Sequence, residues 1–191
     1  GPERLCLVQV APVPGKFVVL FDMCVLKPHE LQPLRELLED ADVTKIGHDL
    51  RHDTLMLSAP PLRARLVGGV DTQVMHAARL LVESAGGTRD VADPINKSLP
   101  GLNDLLSYYK LPTNDDKQAM RAEWDVDHGH WARRPLSATA LRYAAADVEH
   151  LGALHDRLTA DIASALERAS TARAAQYAAF LQRGGDALHD P

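Results

Sequence analysis

Trp131-Ala-Arg-Arg-Pro-Leu136, followed shortly by Tyr143-Ala-Ala-Ala-Asp147, is the stretch whose reading decides the fold. Ser137 stands where a helix N-cap belongs, and the residues after it are apolar at helical spacing. A helix is therefore expected from Ser137 to about Leu158. Tyr143 and Asp147 lie four apart on it, on one face and one turn from each other. Roughly ninety positions upstream, His48-Asp-Leu-Arg-His-Asp53 sets Asp49 and Asp53 in the same relation. Brought together, such groups line an acidic cleft of the kind that holds a metal ion and hydrolyses phosphodiesters.

The bulk composition narrows the choices. The 191 residues suit one domain with a short appendage. Hydrophobic residues make up 46% and charged residues 25%, enough apolar material for a core without covalent staples. The two cysteines, Cys6 and Cys24, fall in apolar runs and read as buried thiols in a reducing compartment. No apolar run of about 18 residues is present, so no membrane span is expected, and the start is not a signal peptide. An intracellular protein, cytoplasmic or nuclear, is the expectation. The net charge of −5 argues against a general nucleic-acid coat, which works through a basic surplus. It does not argue against a nuclease, whose ligating carboxylates are themselves acidic.

Leu5 to Ala11 and Phe17 to Asp22 are β-rich runs joined by Pro12-Val-Pro-Gly15, which predicts a hairpin. Leu31, Leu34, Leu37 and Leu38 predict a helix over Pro28 to Asp40. Thr44 to Gly47 reads as a strand, Asp49 to Leu57 as a helix with Asp49 as N-cap, and Val67 to Val70 as a strand. Asp71 reads as the cap of a helix reaching Leu81, in preference to a metal ligand. Gly86 to Pro100 is loop-like. Further helices are expected over Leu102 to Tyr109 and Asn114 to Glu123, with Asp125 to Arg134 irregular. Glu123, Asp125 and Asp127 read as a solvated loop, and His128-Gly-His130 as a surface loop without the third ligand a metal needs. Thr159 to Arg183 is Ala-rich and strongly helical. The predicted class is α/β, a mixed sheet flanked by helices with a helical C-terminal part. Residues 1–158 form the first domain and 159–191 a helical extension.

In this order, these segments resemble the DEDDy 3′–5′ exonuclease superfamily, which includes ribonuclease D. Lys45-Ile-Gly-His-Asp-Leu-Arg-His-Asp53 is similar to its second motif, in a form nearest the Egalitarian-like branch. Val70-Asp-Thr-Gln73 is similar to its strand-to-helix Asp-Thr-Gln. The Trp131 and Tyr143 segments resemble those of ribonuclease D. The resemblance covers about residues 5 to 158 and implies a ribonuclease H-like fold. The family's first motif, Asp-x-Glu, lies on a strand ahead of the hairpin, and none precedes Leu5. The sequence starts inside the domain, or a stretch is left out, or the natural protein has lost the motif. That strand is central in the family's sheet, so one of the first two is expected.

The resemblance implies two divalent ions, Mg²⁺ or Mn²⁺, held by oxygen ligands. Asp147 and Asp53 would be ligands, and Tyr143 would orient the attacking water. The competing reading makes Asp147 a surface acid, Tyr143 a core aromatic with a wet hydroxyl, and Asp53 an exposed helix acid. Arg134 either anchors the loop before the helix or contacts a phosphate, and Lys117 either contacts nucleic acid or faces solvent. Two carboxylates alone hold such an ion weakly.

The function implied is a metal-dependent 3′–5′ exonuclease on RNA or single-stranded DNA, with RNA favoured. The alternative is a catalytically inactive RNA-binding adaptor of the same fold, dimeric through its C-terminal helix. Ile162, Leu166, Ala169, Ala172 or Arg173, Tyr177, and Phe180 or Leu181 would form the dimer stripe, or else pack on their own domain.

Overall fold

The computed structural model describes residues 4–13, 17–85, 99–126 and 129–182. Strands β1 (Leu7–Val10) and β2 (Val19–Asp22) pair antiparallel, with Leu7 opposite Asp22 and Val10 opposite Val19. This is the hairpin expected from the two apolar runs. A 3₁₀ turn over Pro28–Leu31 leads into α1 (Gln32–Glu39). The predicted single helix is thus split at its first turn, where Pro33 enters α1. Strand β3 (Lys45–Gly47) runs into α2 (Leu50–Ser58), and β4 (Gly69–Asp71) runs into α3 (Thr72–Ala85). β3 and β4 pair in parallel, Gly47 opposite Asp71. Both ladder types expected of a mixed sheet are present, as two two-stranded sheets among the described residues.

The helices α4 (Leu102–Tyr108), α5 (Lys117–Val126), α6 (Ala138–Glu149) and α7 (Leu151–Gln182) follow. Two expectations change here. Glu123 and Asp125 lie inside α5 and not in a loop; Asp127 and His128 lie outside the described residues, as does most of the Gly86–Pro100 segment. The helix expected to reach Leu158 stops at His150, and α7 starts at once. Gly152 lies in the first turn of α7, where a Cβ would come within 2.7 Å of Val13. A side chain at this position would displace Val13.

The chain divides into two compact units: residues 1–73 with 100–155, and residues 74–99 with 156–191. In the first, Leu31 at the end of the 3₁₀ turn and Leu34 and Leu38 on α1 pack into a core with Val8, Met23, Leu57 and Leu62. Each such fully buried side chain contributes about 1.5–3 kcal/mol of burial free energy. In the second, Arg79 donates to Glu83 at 2.8 Å, an i,i+4 pair with both side chains largely buried. Along α7 the buried positions are Leu151, Leu154, Leu158 and Ala165. Leu166, Tyr177 and Phe180 are exposed, so they do not belong to that stripe. Among the described residues, no helix is long and apolar enough to cross a membrane.

One ion pair ties the hairpin to the loop before α6. Arg134 grips both oxygens of Asp22 at the end of β2. The pairing holds the Asp22 carboxyl below its ordinary value, chiefly through the hydrogen bond from Arg134. The side chains are 23% and 32% exposed, so solvent screens part of the attraction. Asp22→Asn should cost about 1–2 kcal/mol and lower Tm by roughly 3–6 °C at neutral pH. Because the folded carboxyl is depressed, the native advantage is complete above the ordinary carboxylate range. It disappears as pH falls through the depressed value. Thermal melts of both proteins from pH 7 to pH 2 check this, and a gap that persists at the lowest pH would contradict it.

Candidate active site

The site is assembled where two strand ends hand over to two helices. At the C-terminal end of β4, the Asp71 carboxylate accepts from three backbone amides. Oδ1 takes Asp49 N at 3.0 Å and Gln73 N at 2.9 Å, and Oδ2 takes Leu50 N at 2.9 Å. Asp71 therefore caps α3, as expected, and also satisfies the start of α2. Asp49 occupies the N-cap position of α2 without capping it. Its backbone is left-handed (φ 55°), and its side chain pairs with Arg51 at 2.6 Å and 3.0 Å. The sequence-based assignment of that cap to Asp49 is corrected: the carboxylate comes from the neighbouring strand.

His48 and Thr72 lock the same junction. Thr72, fully buried, donates to Gly47 O at 3.0 Å. His48 Nδ1 lies 3.0 Å from Thr72 Oγ1, and Nε2 donates to Pro100 O at 3.1 Å. Burial pushes the imidazole below its ordinary pKa. A Cβ at Gly47 would sit 2.2 Å from Leu50 Cδ2, so a larger residue there would displace the Leu50 side chain.

On α6, Ser137 Oγ accepts from Ala140 N at 3.0 Å, the cap expected from the sequence. One turn further, the Tyr143 hydroxyl hydrogen-bonds the Asp147 carboxylate on the same face. Burial, reinforced by the Asp147 charge, lifts Tyr143 to about 12, so the phenol stays protonated and is a donor. The Tyr143 ring lies 6.2 Å from that of Trp131, which itself rests 4.8 Å from His130. His130 is buried, not on a surface loop as its spacing suggested.

Burial raises the Asp147 carboxyl. Hydrogen bonds from Asn114 and Tyr143 and the charge of Lys117 oppose that rise, whereas the charge of Asp53 adds to it. Asp53 is open to solvent on one side, yet the protein around it desolvates the carboxyl and raises it too. The structure thus brings Tyr143, Asp147 and Asp53 within electrostatic reach. Lys117, exposed at the first position of α5, acts on Asp147 and on His48.

Arg134 does not face this site as a free cation. Besides Asp22, it donates to Trp131 O at 2.9 Å, Arg133 O at 2.6 Å and Cys6 O at 3.3 Å. All five guanidinium N–H groups are spent within the protein. These contacts are those of a loop anchor, one of its two expected roles.

Asn114 is the residue that the sequence reading missed. It is 3% exposed, and its amide donates to Tyr143 O at 3.0 Å and to Asp147 Oδ1 at 2.8 Å. Asn103 clamps it in turn: Oδ1 accepts from Asn114 N and Nδ2 donates to Asn114 O, both at 3.0 Å. An Asn between a predicted loop and helix carries no local signal of a bond across 33 positions.

The donor chemistry suits a hard divalent cation, since Asp53 and Asp147 offer carboxylate oxygens. The number does not: among the described residues, no three His, Cys, Asp or Glu side chains come together.

Residues 2–163 match the 3′–5′ exonuclease family, and the chain belongs to that family, in its ribonuclease D-like form. The human protein named exonuclease mut-7 homolog is 30% identical over 170 residues, covering 83% of this chain and 18% of its own length. Ribonuclease D of Xanthomonas oryzae pv. oryzae is 30% identical over 159 residues, 82% of this chain and 35% of that protein. The chain therefore spans only a fraction of these relatives. The crystal structure of Trypanosoma brucei RNase D superposes with a TM-score of 0.66 at 24% identity, over 88% of this chain and 59% of that one. The RNase D complex with RNA U12 gives 0.62 at 26% identity, over 82% and 50%. The expected α/β exonuclease fold is thereby established.

Asn114→Ala should cost about 1–3 kcal/mol by leaving buried partners unmet. It should also raise the Asp147 pKa further, because the lost hydrogen bond favours the carboxylate. Carboxyl NMR titration of Asp147 measures this directly, and an unmoved titration would make Asn114 a packing residue only.

Proposed function

We propose that the chain carries the active site of a metal-dependent 3′–5′ exonuclease acting on RNA in preference to single-stranded DNA. The observation that carries the reading is the Tyr143–Asp147 pair on one face of α6, with the Asp53 charge acting on it from α2, in a chain of this family. That a relative's structure was determined with RNA U12 supports RNA as the substrate class.

In this reading Asp147 and Asp53 would be the ligands this chain offers to Mg²⁺ or Mn²⁺. Such an ion lowers the pKa of bound water and steadies charge on the phosphate. Tyr143, held protonated, donates to Asp147 and orients the attacking water. Asn114 fixes the carboxylate rotamer from behind. Desolvation is the chief cause of the raised carboxyl at both Asp53 and Asp147, with the Asp53 charge adding at Asp147, and a nearby cation would oppose the rise. Two carboxylates hold a hard ion weakly, so weak Mn²⁺ binding and slow cleavage are expected of these residues alone.

The test uses 5′-labelled single-stranded RNA and DNA of equal length with Mn²⁺, read on a sequencing gel. Stepwise shortening from the 3′ end is expected, faster for RNA. In the complete protein, Asp147→Ala should abolish it. Tyr143→Phe should slow it about 10²-fold with little change in RNA affinity, since an orienting hydroxyl acts on the chemical step. Activity surviving in the Asp147 variant overturns the site. RNA binding without shortening overturns the enzyme in favour of an adaptor.

A further inference from the structure

A concavity of about 460 Å³, lined by none of Asp53, Tyr143 and Asp147, opens beside α2 within the first unit. Arg51, Arg63 and Arg65 line it with the apolar Leu55 and Leu66 and a single acid, Glu39. Glu39 is already engaged, its Oε1 accepting from Arg65 N at 2.9 Å. Arg51 is paired with Asp49. Arg63 and Arg65 are different: both are exposed, and among the described residues neither guanidinium has a protein partner. Two other forks are spent on the protein itself. Arg35 donates to Leu62 O at 2.9 Å and 2.7 Å, and Arg142 to Asp116 at 3.0 Å and 2.9 Å. Two unspent forks in one groove stand out in a chain of net charge −5.

The backbone adds a second observation. Arg63 is left-handed, φ 53°. That conformation costs an ordinary L-residue roughly 1–2 kcal/mol and suits glycine. It is maintained by Arg63 N donating to Ala59 O at 3.0 Å and Ala64 N to Leu57 O at 2.9 Å. The chain bends sharply and still presents a long cation there.

The wall of the groove is a helical stripe. Arg51, Thr54, Leu55 and Ser58 follow i, i+3, i+4, i+7 spacing on α2, whereas Asp53 lies about 200° round the helix from Arg51. The groove and the Asp53–Asp147 site therefore use different sides of the same helix. A planar guanidinium matches a phosphate bidentately. Leu55, 64% exposed, offers an apolar face beside the forks. Alternating anionic and flat apolar groups describe a single-stranded nucleic acid better than a free anion, which would leave Leu55 unused.

We propose that this groove is a second contact for single-stranded nucleic acid, with Arg63 and Arg65 holding phosphates and Leu55 covering a base. The proposal rests on the exonuclease reading for the identity of its ligand.

The test is fluorescence anisotropy of a 5′-labelled 20-nucleotide oligo(U), in EDTA to prevent cleavage, from 50 to 300 mM KCl. The variant pairs Arg65→Ala with Arg63→Gly, which fits the left-handed backbone; Arg63→Lys with Arg65→Lys is the conservative control. Unchanged melting establishes that the variants fold. The neutral variant should bind at least ~10-fold more weakly. Its log Kd against log[salt] slope should shrink by about 1.4, or about 0.7 for each of two lost phosphate contacts. The lysine variant should keep most of the slope. Equal affinity and slope in the neutral variant and wild type overturn the groove and leave the exonuclease reading intact. No binding by wild type overturns the exonuclease reading, and the groove loses its ligand with it. Polyglutamate competing as well as oligo(U) overturns the nucleic-acid assignment in favour of an acidic protein partner.

Discussion

The Asp71 carboxylate is the interaction on which the site depends. It sits at the end of a parallel strand pair and accepts three backbone amides from two helices. The first turn of a helix leaves its N–H groups without intrahelical acceptors, and two such ends meet here. One charged group satisfies both, through charge-assisted bonds stronger than neutral ones. The direction in which α2 leaves β3, and hence where Asp53 stands, follows from that arrangement. Buried Thr72 and the His48 ring hold the same corner.

The other half of the site is positioned independently. The Arg134–Asp22 pair joins the loop before α6 to the hairpin, and Asn114 fastens Asp147 and the Tyr143 carbonyl on α6 itself. Acidic residues on α2 and α6 are thus brought near each other by separate anchors, at the cost of partial desolvation. The raised carboxyls of Asp53 and Asp147 record that cost. A fold that maximised stability in the absence of a cation would not put them there.

Local chemistry made much of this legible. The hairpin, the Ser137 cap, the capping role of Asp71 and the shared face of Tyr143 and Asp147 all follow from spacings of a few residues. What was hidden is long-range. Nothing near Asp49 shows that a carboxylate 22 positions away takes over its capping role, freeing Asp49 to go left-handed. His130 looked like half of an exposed pair, because burial against Trp131 is a tertiary fact. The stop at His150 lacks proline, and the nearby Gly152 explains itself only once Val13 is seen against it. Asn114 is the clearest case, since its meaning lies wholly in partners 29 and 33 positions away.

Under the proposed function a net-acidic chain must bind a polyanion, and the placement of its arginines bears on how it could. Arg35, Arg79, Arg134 and Arg142 are spent on carbonyls or carboxylates and serve the fold. Lys117 is placed where its field reaches Asp147. Among the described residues the guanidinium groups of Arg63 and Arg65 donate to no protein acceptor, and the one acid lining their groove, Glu39, is bonded to the Arg65 backbone amide. In a uniformly basic protein two free guanidinium groups would mean nothing. Here they are set against a background that repels phosphate, so the field they create is local and its direction is specific. Selective placement of cations, with acids on the opposite side of α2, would let one small domain attract a strand at one face of that helix and present carboxylates on the other.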